Sequence, residues 1–167
     1  MGERLTKSDI EKIEKEIEHR KLVVRKEAIQ AVKVARAHGD LSENFEYYAA
    51  KRDNNANNSR IKYLERMLKY AIVIDDDSEN DEVGINNTVE ILIVEDKAVE
   101  TYRLVTSIRG SSTAGLISIE SPLGKALLGR KVGEKVHVKV RDDFGYDVVI
   151  NKIIKTNDES EDSIKNF

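Results

Sequence analysis

The residues best suited to chemistry lie at one break in the first half of the chain, Gly39-Asp40-Leu41-Ser42-Glu43. Asp40 and Glu43 are carboxylates three residues apart, a spacing that puts both near one side of a first helical turn. Carboxylate oxygens are the ligands that hard divalent cations such as Mg2+ take. The same residues also suit a plainer purpose. Asp40 or Ser42 can cap a helix, and acidic side chains in a first turn favour the helix dipole. Residue type and spacing alone leave both readings open. The chain contains no Cys, which excludes disulfides, thiolate metal sites and thiol catalysis.

A helical hairpin must position these residues. The first 70 residues contain no Pro, and only Gly2 and Gly39 interrupt them, so His38-Gly39-Asp40-Leu41 is the one internal break. Gly39 suits it, because glycine tolerates a positive φ. Before the break Ile10, Ile13, Ile17, Val24, Ala28, Ala31 and Ala35 follow helical spacing, with Arg20 standing between Ile17 and Val24. After it Tyr47, Ala50, Asn54, Asn57, Ile61, Leu64 and Leu68 keep a strict 3-4 alternation, the pattern of a coiled-coil seam. The two stripes predict an antiparallel coiled coil, apolar at its base and small near its tip. Asn54 and Asn57 place polar residues in that seam, which limits its stability, so exchanging both for Leu is expected to raise the melting temperature of the isolated hairpin. Arms of about 30 residues imply a rod of roughly 45 Å, whose use is reach rather than burial.

The second half differs. Asp75–Glu82 is charged and free of apolar residues and reads as a linker. Beyond it, alternating apolar residues predict strands over 88–94, 99–105, 135–140 and 146–154. Ser121-Pro122 opens a short helical pattern that ends near Gly129, with Ser121 as its cap and Pro122 at its first position. The expected fold class is α+β, a helical hairpin followed by an antiparallel sheet with one short helix. The expected organisation is 1–74 coiled coil, 75–82 linker, 83–155 globular domain and 156–167 a polar, frayed tail. The net charge of −3 hides an asymmetry. Residues 1–70 hold 16 Lys and Arg against 12 Asp and Glu, a balance of +4, and the remainder carries −7. A balance of +4 is too small for an autonomous DNA-binding domain. No apolar run approaches the ~20 residues needed to span a bilayer, so no membrane partner is expected and the chain reads as cytoplasmic.

Three segments resemble one known family. Ala35-Arg-Ala-His-Gly-Asp-Leu-Ser-Glu-Asn-Phe-Glu-Tyr-Tyr-Ala-Ala50 is similar to the GDLSENAEY signature of the GreA/GreB transcript-cleavage factors. Ile117–Gly129 resembles that family's ISxxSPLAKALLGK segment, Val132-Gly-Glu-Lys-Val-His-Val matches its continuation, and Arg60-Ile-Lys-Tyr-Leu-Glu fits the helix between. The resemblance implies an N-terminal coiled coil and an FKBP-like C-terminal domain. It implies that the globular domain docks on bacterial RNA polymerase while the coiled coil enters the secondary channel and meets the extruded 3′ end of the nascent RNA. The factor would then stimulate polymerase to cleave backtracked RNA without being an enzyme itself. By the same resemblance Asp40 and Glu43 are donated to the polymerase active site and hold its second, weakly bound Mg2+. Asp40 is the metal ligand; Glu43 is its partner, through the metal or by orienting the attacking water. Arg36 and Lys51 match basic positions directed toward the RNA. No tightly bound cofactor is implied.

Phe45 departs from the family's usual small Ala, Tyr48 stands where His is frequent, and residues 141–146 lack the usual Pro-Gly turn. Three other readings are a channel-occupying regulator that does not cleave, an FKBP-like prolyl isomerase and a coiled-coil adaptor. The intact Gly39–Asn44 motif argues against the first. Aromatics at 5% of the chain, with no Trp, argue against the aromatic-lined pocket that the second requires.

Overall fold

Helical periodicity before residue 70 and strand alternation after 87 become two units in the computed structural model, which describes residues 2–39, 44–110, 115–156, 158, 159 and 162–165. One unit comprises Met1–Glu3 and Ile10–Ile72; the other comprises Arg4–Asp9 and Val73–Phe167.

The first unit is built on α1 (Lys7–His19), whose opening residues belong to the second unit, then α2 (Arg25–Arg36) and α3 (Phe45–Tyr70). Ile13, Ile17, Ile61 and Leu64 are buried along the predicted seam. The first arm is not one continuous α-helix. Arg20–Val24 form a wide π-type turn, in which the Arg25 N–H reaches back to the Arg20 carbonyl. The cause is visible in the spacing: Arg20, Val24 and Ala28 are separated by two successive fours, one residue more than a heptad allows, and a wide turn absorbs the surplus. Beyond it the buried face shifts, so that Val32 is half-buried and Ala31, expected in the seam, is exposed.

The second unit begins with β1 (Arg4–Leu5) and resumes near β2 (Ile72–Val73), with the Ile74 N–H donating to the Leu5 carbonyl at 2.9 Å. Its sheet contains β3 (Thr88–Ile93), β4 (Ala98–Val105), β6 (Leu116–Ser118), β7 (Lys135–Arg141) and β8 (Phe144–Ile154), in the order β6-β4-β3-β8-β7. The four strands expected from alternation pair antiparallel. β6 adds a parallel edge to β4, so the sheet is mixed. Alternate residues Val89 and Ile91, Val136 and Val138, and Val148 and Ile150 form one buried layer. Leu127 of α4 (Pro122–Leu127) joins that layer. Ser121 caps α4 as expected, its Oγ accepting from the Gly124 N–H at 3.1 Å. Gly124 is required there, since a Cβ would lie 1.9 Å from the Ser118 carbonyl oxygen.

Two polar features of this unit were less legible. The acidic stretch wraps a cation: the Lys155 ammonium donates to Ser78 Oγ at 2.6 Å, to the carbonyls of Glu79 and Glu82 at 2.9 Å each, and to Asn87 Oδ1 at 2.8 Å. The tail, expected to fray, is docked at its described residues. β9 (Ser163–Ile164) pairs with β5 (Arg109–Gly110), and Asp162 takes two bonds from Arg103 at 2.8 and 3.0 Å. Beneath lies Arg109, buried and paired with Asp9, Glu159 and Asp162. A buried guanidinium needs such partners to offset its lost hydration. Burial pushes the Asp9 carboxyl up, but Arg109, Thr106 and the Thr6 N–H outweigh that and hold it below the ordinary range.

Candidate functional site

At the described tip of the hairpin the Asn44 side chain bonds both helix ends. Asn44 precedes α3 with a non-helical backbone, and its Oδ1 accepts from the Tyr47 N–H at 3.0 Å, satisfying one of the free donors of the first turn. Its Nδ2 donates to the Ala35 carbonyl of α2 at 2.6 Å. The same amide therefore starts one helix and ties it to the end of the other. This corrects the capping expectation, which offered Asp40 or Ser42. Asn ranks with Asp and Ser as a helix cap, and Glu46 in the following turn supplied the accompanying acidic signal, so Asn44 was findable from sequence.

Around that clamp the side chains sort by chemistry. Arg36, the last residue of α2, is exposed and its guanidinium carbon lies 5.7 Å from the centroid of the Tyr47 ring, a cation–π distance. His38 Nδ1 lies 2.9 Å from Glu46 Oε2 across the break. Tyr47 and Tyr48 meet edge to face at 5.4 Å between centroids. Phe45, the first residue of α3, is 85% exposed. Gly39 has φ of 113°, the left-handed conformation expected where the first arm ends.

Of the residues singled out from sequence, Arg36 and Lys51 are both exposed, on α2 and α3. Lys51 lies seven residues beyond the Asn44 cap, about two helical turns along α3. Asp40 and Glu43 lie outside the described residues. The described arrangement offers exposed cations and an exposed aromatic ring, and the chain between Gly39 and Asn44 carries two carboxylates in sequence. That combination suits a phosphate backbone with its base and counter-ion better than an apolar ligand. Carboxylates fit a hard cation by donor type, yet two of them supply fewer than the ~six oxygens an octahedral Mg2+ takes, so the remaining ligands would come from a partner.

Comparison with known proteins matches the chain to two family models. Residues 3–73 match the family described as "Transcription elongation factor, N-terminal", and residues 78–155 match "Transcription elongation factor, GreA/GreB, C-term". The chain is 44% identical over 136 residues to transcription elongation factor GreA of Geobacillus kaustophilus, covering 81% of this chain and 86% of that protein. It is 43% identical over 153 residues to the GreA of Streptococcus gordonii, covering 91% and 95%. The crystal structure of GreA factor homolog 1 of Thermus thermophilus aligns with a TM-score of 0.42 at 22% identity, over 92% of this chain and 99% of that one. Among the described residues no helix is long and apolar enough to cross a membrane.

Proposed function

The chain belongs to the GreA/GreB family of transcription elongation factors, and from that premise we propose that it enters the secondary channel of bacterial RNA polymerase and stimulates cleavage of backtracked nascent RNA. The observation that carries this reading is the Asn44 clamp, which fixes the start of α3 against the end of α2 with the Asp40–Glu43 segment between them in the chain. Tying the two helix ends fixes the described flanks of the stretch that carries the Asp40 and Glu43 carboxylates in sequence.

Asp40 and Glu43 would hold the second Mg2+ of the polymerase centre. When bound, that ion supplies a polarised phosphate and an activated water. Asp40 contributes oxygen ligation, and Glu43 either shares it or accepts the proton of the attacking water. Arg36 and Lys51 neutralise phosphate charge on the extruded RNA, a contribution that weakens with added salt. The globular domain docks on polymerase and raises the effective concentration of the tip, which buries too little to bind alone. The protein needs no catalytic centre of its own, because substrate and metal both belong to polymerase.

The test is a stalled, backtracked elongation complex supplied with the full-length protein and Mg2+. The RNA should shorten from its 3′ end, and added nucleotides should then restart elongation. Protein that binds the complex but shortens no RNA would contradict the proposal and favour a regulator that merely occupies the channel.

A further inference from the structure

We propose that Phe45 is a base-stacking residue for the extruded 3′ segment of the RNA, an inference that rests on the function proposed above. Among the described residues Phe45 has the highest exposure of any large hydrophobic side chain, 85%, against 57% for Leu22 and Val99. Its backbone is nonetheless fixed, because Asn44 caps the helix that Phe45 begins. A fixed backbone presenting a largely exposed ring is an arrangement that gains little within the free protein and is ready for a planar partner.

The surroundings select which partner. Asn44 Nδ2 bonds the Ala35 carbonyl at 2.6 Å, and these residues are the chain neighbours of Phe45 and Arg36. One hydrogen bond therefore brings an exposed ring and an exposed guanidinium to the same end of the hairpin, a π-face for a base and a cation for its phosphate. Tyr47 is already engaged with Tyr48 and with the Arg36 guanidinium. Phe45 carries no polar atom, so it reads the face of a base and not its edge. Such stacking tolerates every base and is worth enough that truncation to alanine costs about tenfold in affinity. An apolar groove on a protein would also accept a Phe, but the exposed Arg36, with Lys51 about two turns along α3, favours a polyanion.

The experiment uses the full chain and a backtracked complex whose extruded 3′ nucleotides carry either ordinary bases or abasic sugars. With ordinary bases, Phe45→Ala should lower cleavage about tenfold at limiting factor concentration, Phe45→Leu should recover little, and Phe45→Tyr should retain most of the activity. With abasic ends the wild-type protein should fall to the level of Phe45→Ala, and the two should become equal. Unchanged melting of Phe45→Ala, expected for so exposed a side chain, excludes misfolding as the cause. Equal cleavage by wild type and Phe45→Ala on ordinary RNA would overturn the assignment. So would a tenfold deficit that persists on abasic RNA, since the ring would then touch polymerase instead. A wild-type protein that shortens neither RNA would overturn the underlying function along with this inference.

Discussion

At the base of the hairpin Ile13, Ile17, Ile61 and Leu64 are buried, whereas at the tip Ala35 is buried beside an exposed Phe45 and a half-exposed Tyr48. The polar groups follow the same divide. At the base Arg60, with 8% of its side chain exposed, and Arg20 both bond Glu16, at 2.9 and 2.7 Å, and Arg20 also reaches Asn57 Oδ1 at 3.1 Å. Asn57 Nδ2 returns a bond to the Arg20 carbonyl at 3.2 Å. At the tip one amide and one exposed His–Glu contact hold the helix ends. The base can therefore supply stability while Arg36 and Lys51 remain exposed to a partner. Damage at the base should unfold the hairpin; damage at the tip should abolish action without unfolding it.

The comparison breaks most visibly at Leu64. Leu64→Ala removes a side chain with no exposure and should cost about 2–5 kcal/mol, read as a drop in thermal midpoint, while any protein still folded keeps its tip chemistry. Glu16→Gln comes next, at about 1–3 kcal/mol, because it strips the charge that satisfies two guanidinium groups. Burial raises the affinity of Glu16 for a proton, but hydrogen bonds and charge from Arg60 and Arg20 prevail and hold its pKa below the ordinary value. A carboxyl with a lowered folded pKa contributes stability that is present above its unfolded value, near 4.3, and is lost as pH falls through the folded one. The melting difference between wild type and Glu16→Gln should thus be steady above about pH 5 and shrink as the solution is acidified below ~4.

Asn44→Ala should cost about 1 kcal/mol as a lost cap, yet reduce cleavage by more than that stability loss explains, because the clamp to Ala35 goes with it. The smallest effect sharpens the account of the seam. Asn54 Oδ1 is buried without a hydrogen-bond partner among the described residues, whereas Asn57 is bonded to Arg20 from both ends of its amide. Asn54→Leu should then raise the melting temperature by a degree or two, about 0.5 kcal/mol, and Asn57→Leu should lower it. The joint exchange, expected from sequence to stabilise the hairpin, thus combines two single effects of opposite sign.

Periodicity carried most of the fold. Apolar alternation in β3, β4, β7 and β8, strict only over 135–140, and strict 3-4 spacing over α3 are local signals of burial, and the Ser121-Pro122 start of α4 is a local signal of capping. What escaped depends on partners distant in sequence. Nothing local to Glu159 or Asp162 announces that Arg109 lies buried beneath them, and nothing local to Asp75–Glu82 announces Lys155. Leu116–Ser118 is too short for alternation to mark it as a parallel edge. The wide turn at Arg20–Val24 was legible in two successive spacings of four, although a reading by stripe alone passes over it. At the tip the motif directed attention to Asp40, Glu43, Arg36 and Lys51, while the positioning residue, Asn44, stands inside the same motif without charge and so drew none.

The most direct test of the central claim is the cleavage rate of a backtracked complex as Mg2+ is raised, with wild-type protein and Asp40→Asn at equal occupancy of polymerase. Asn keeps the shape of Asp and one oxygen donor but removes the charge, so the account predicts slower cleavage by at least about a hundredfold at limiting Mg2+, the ~3 kcal/mol scale of a lost charged interaction, narrowing as Mg2+ rises. Superimposable rates at every Mg2+ concentration would contradict it.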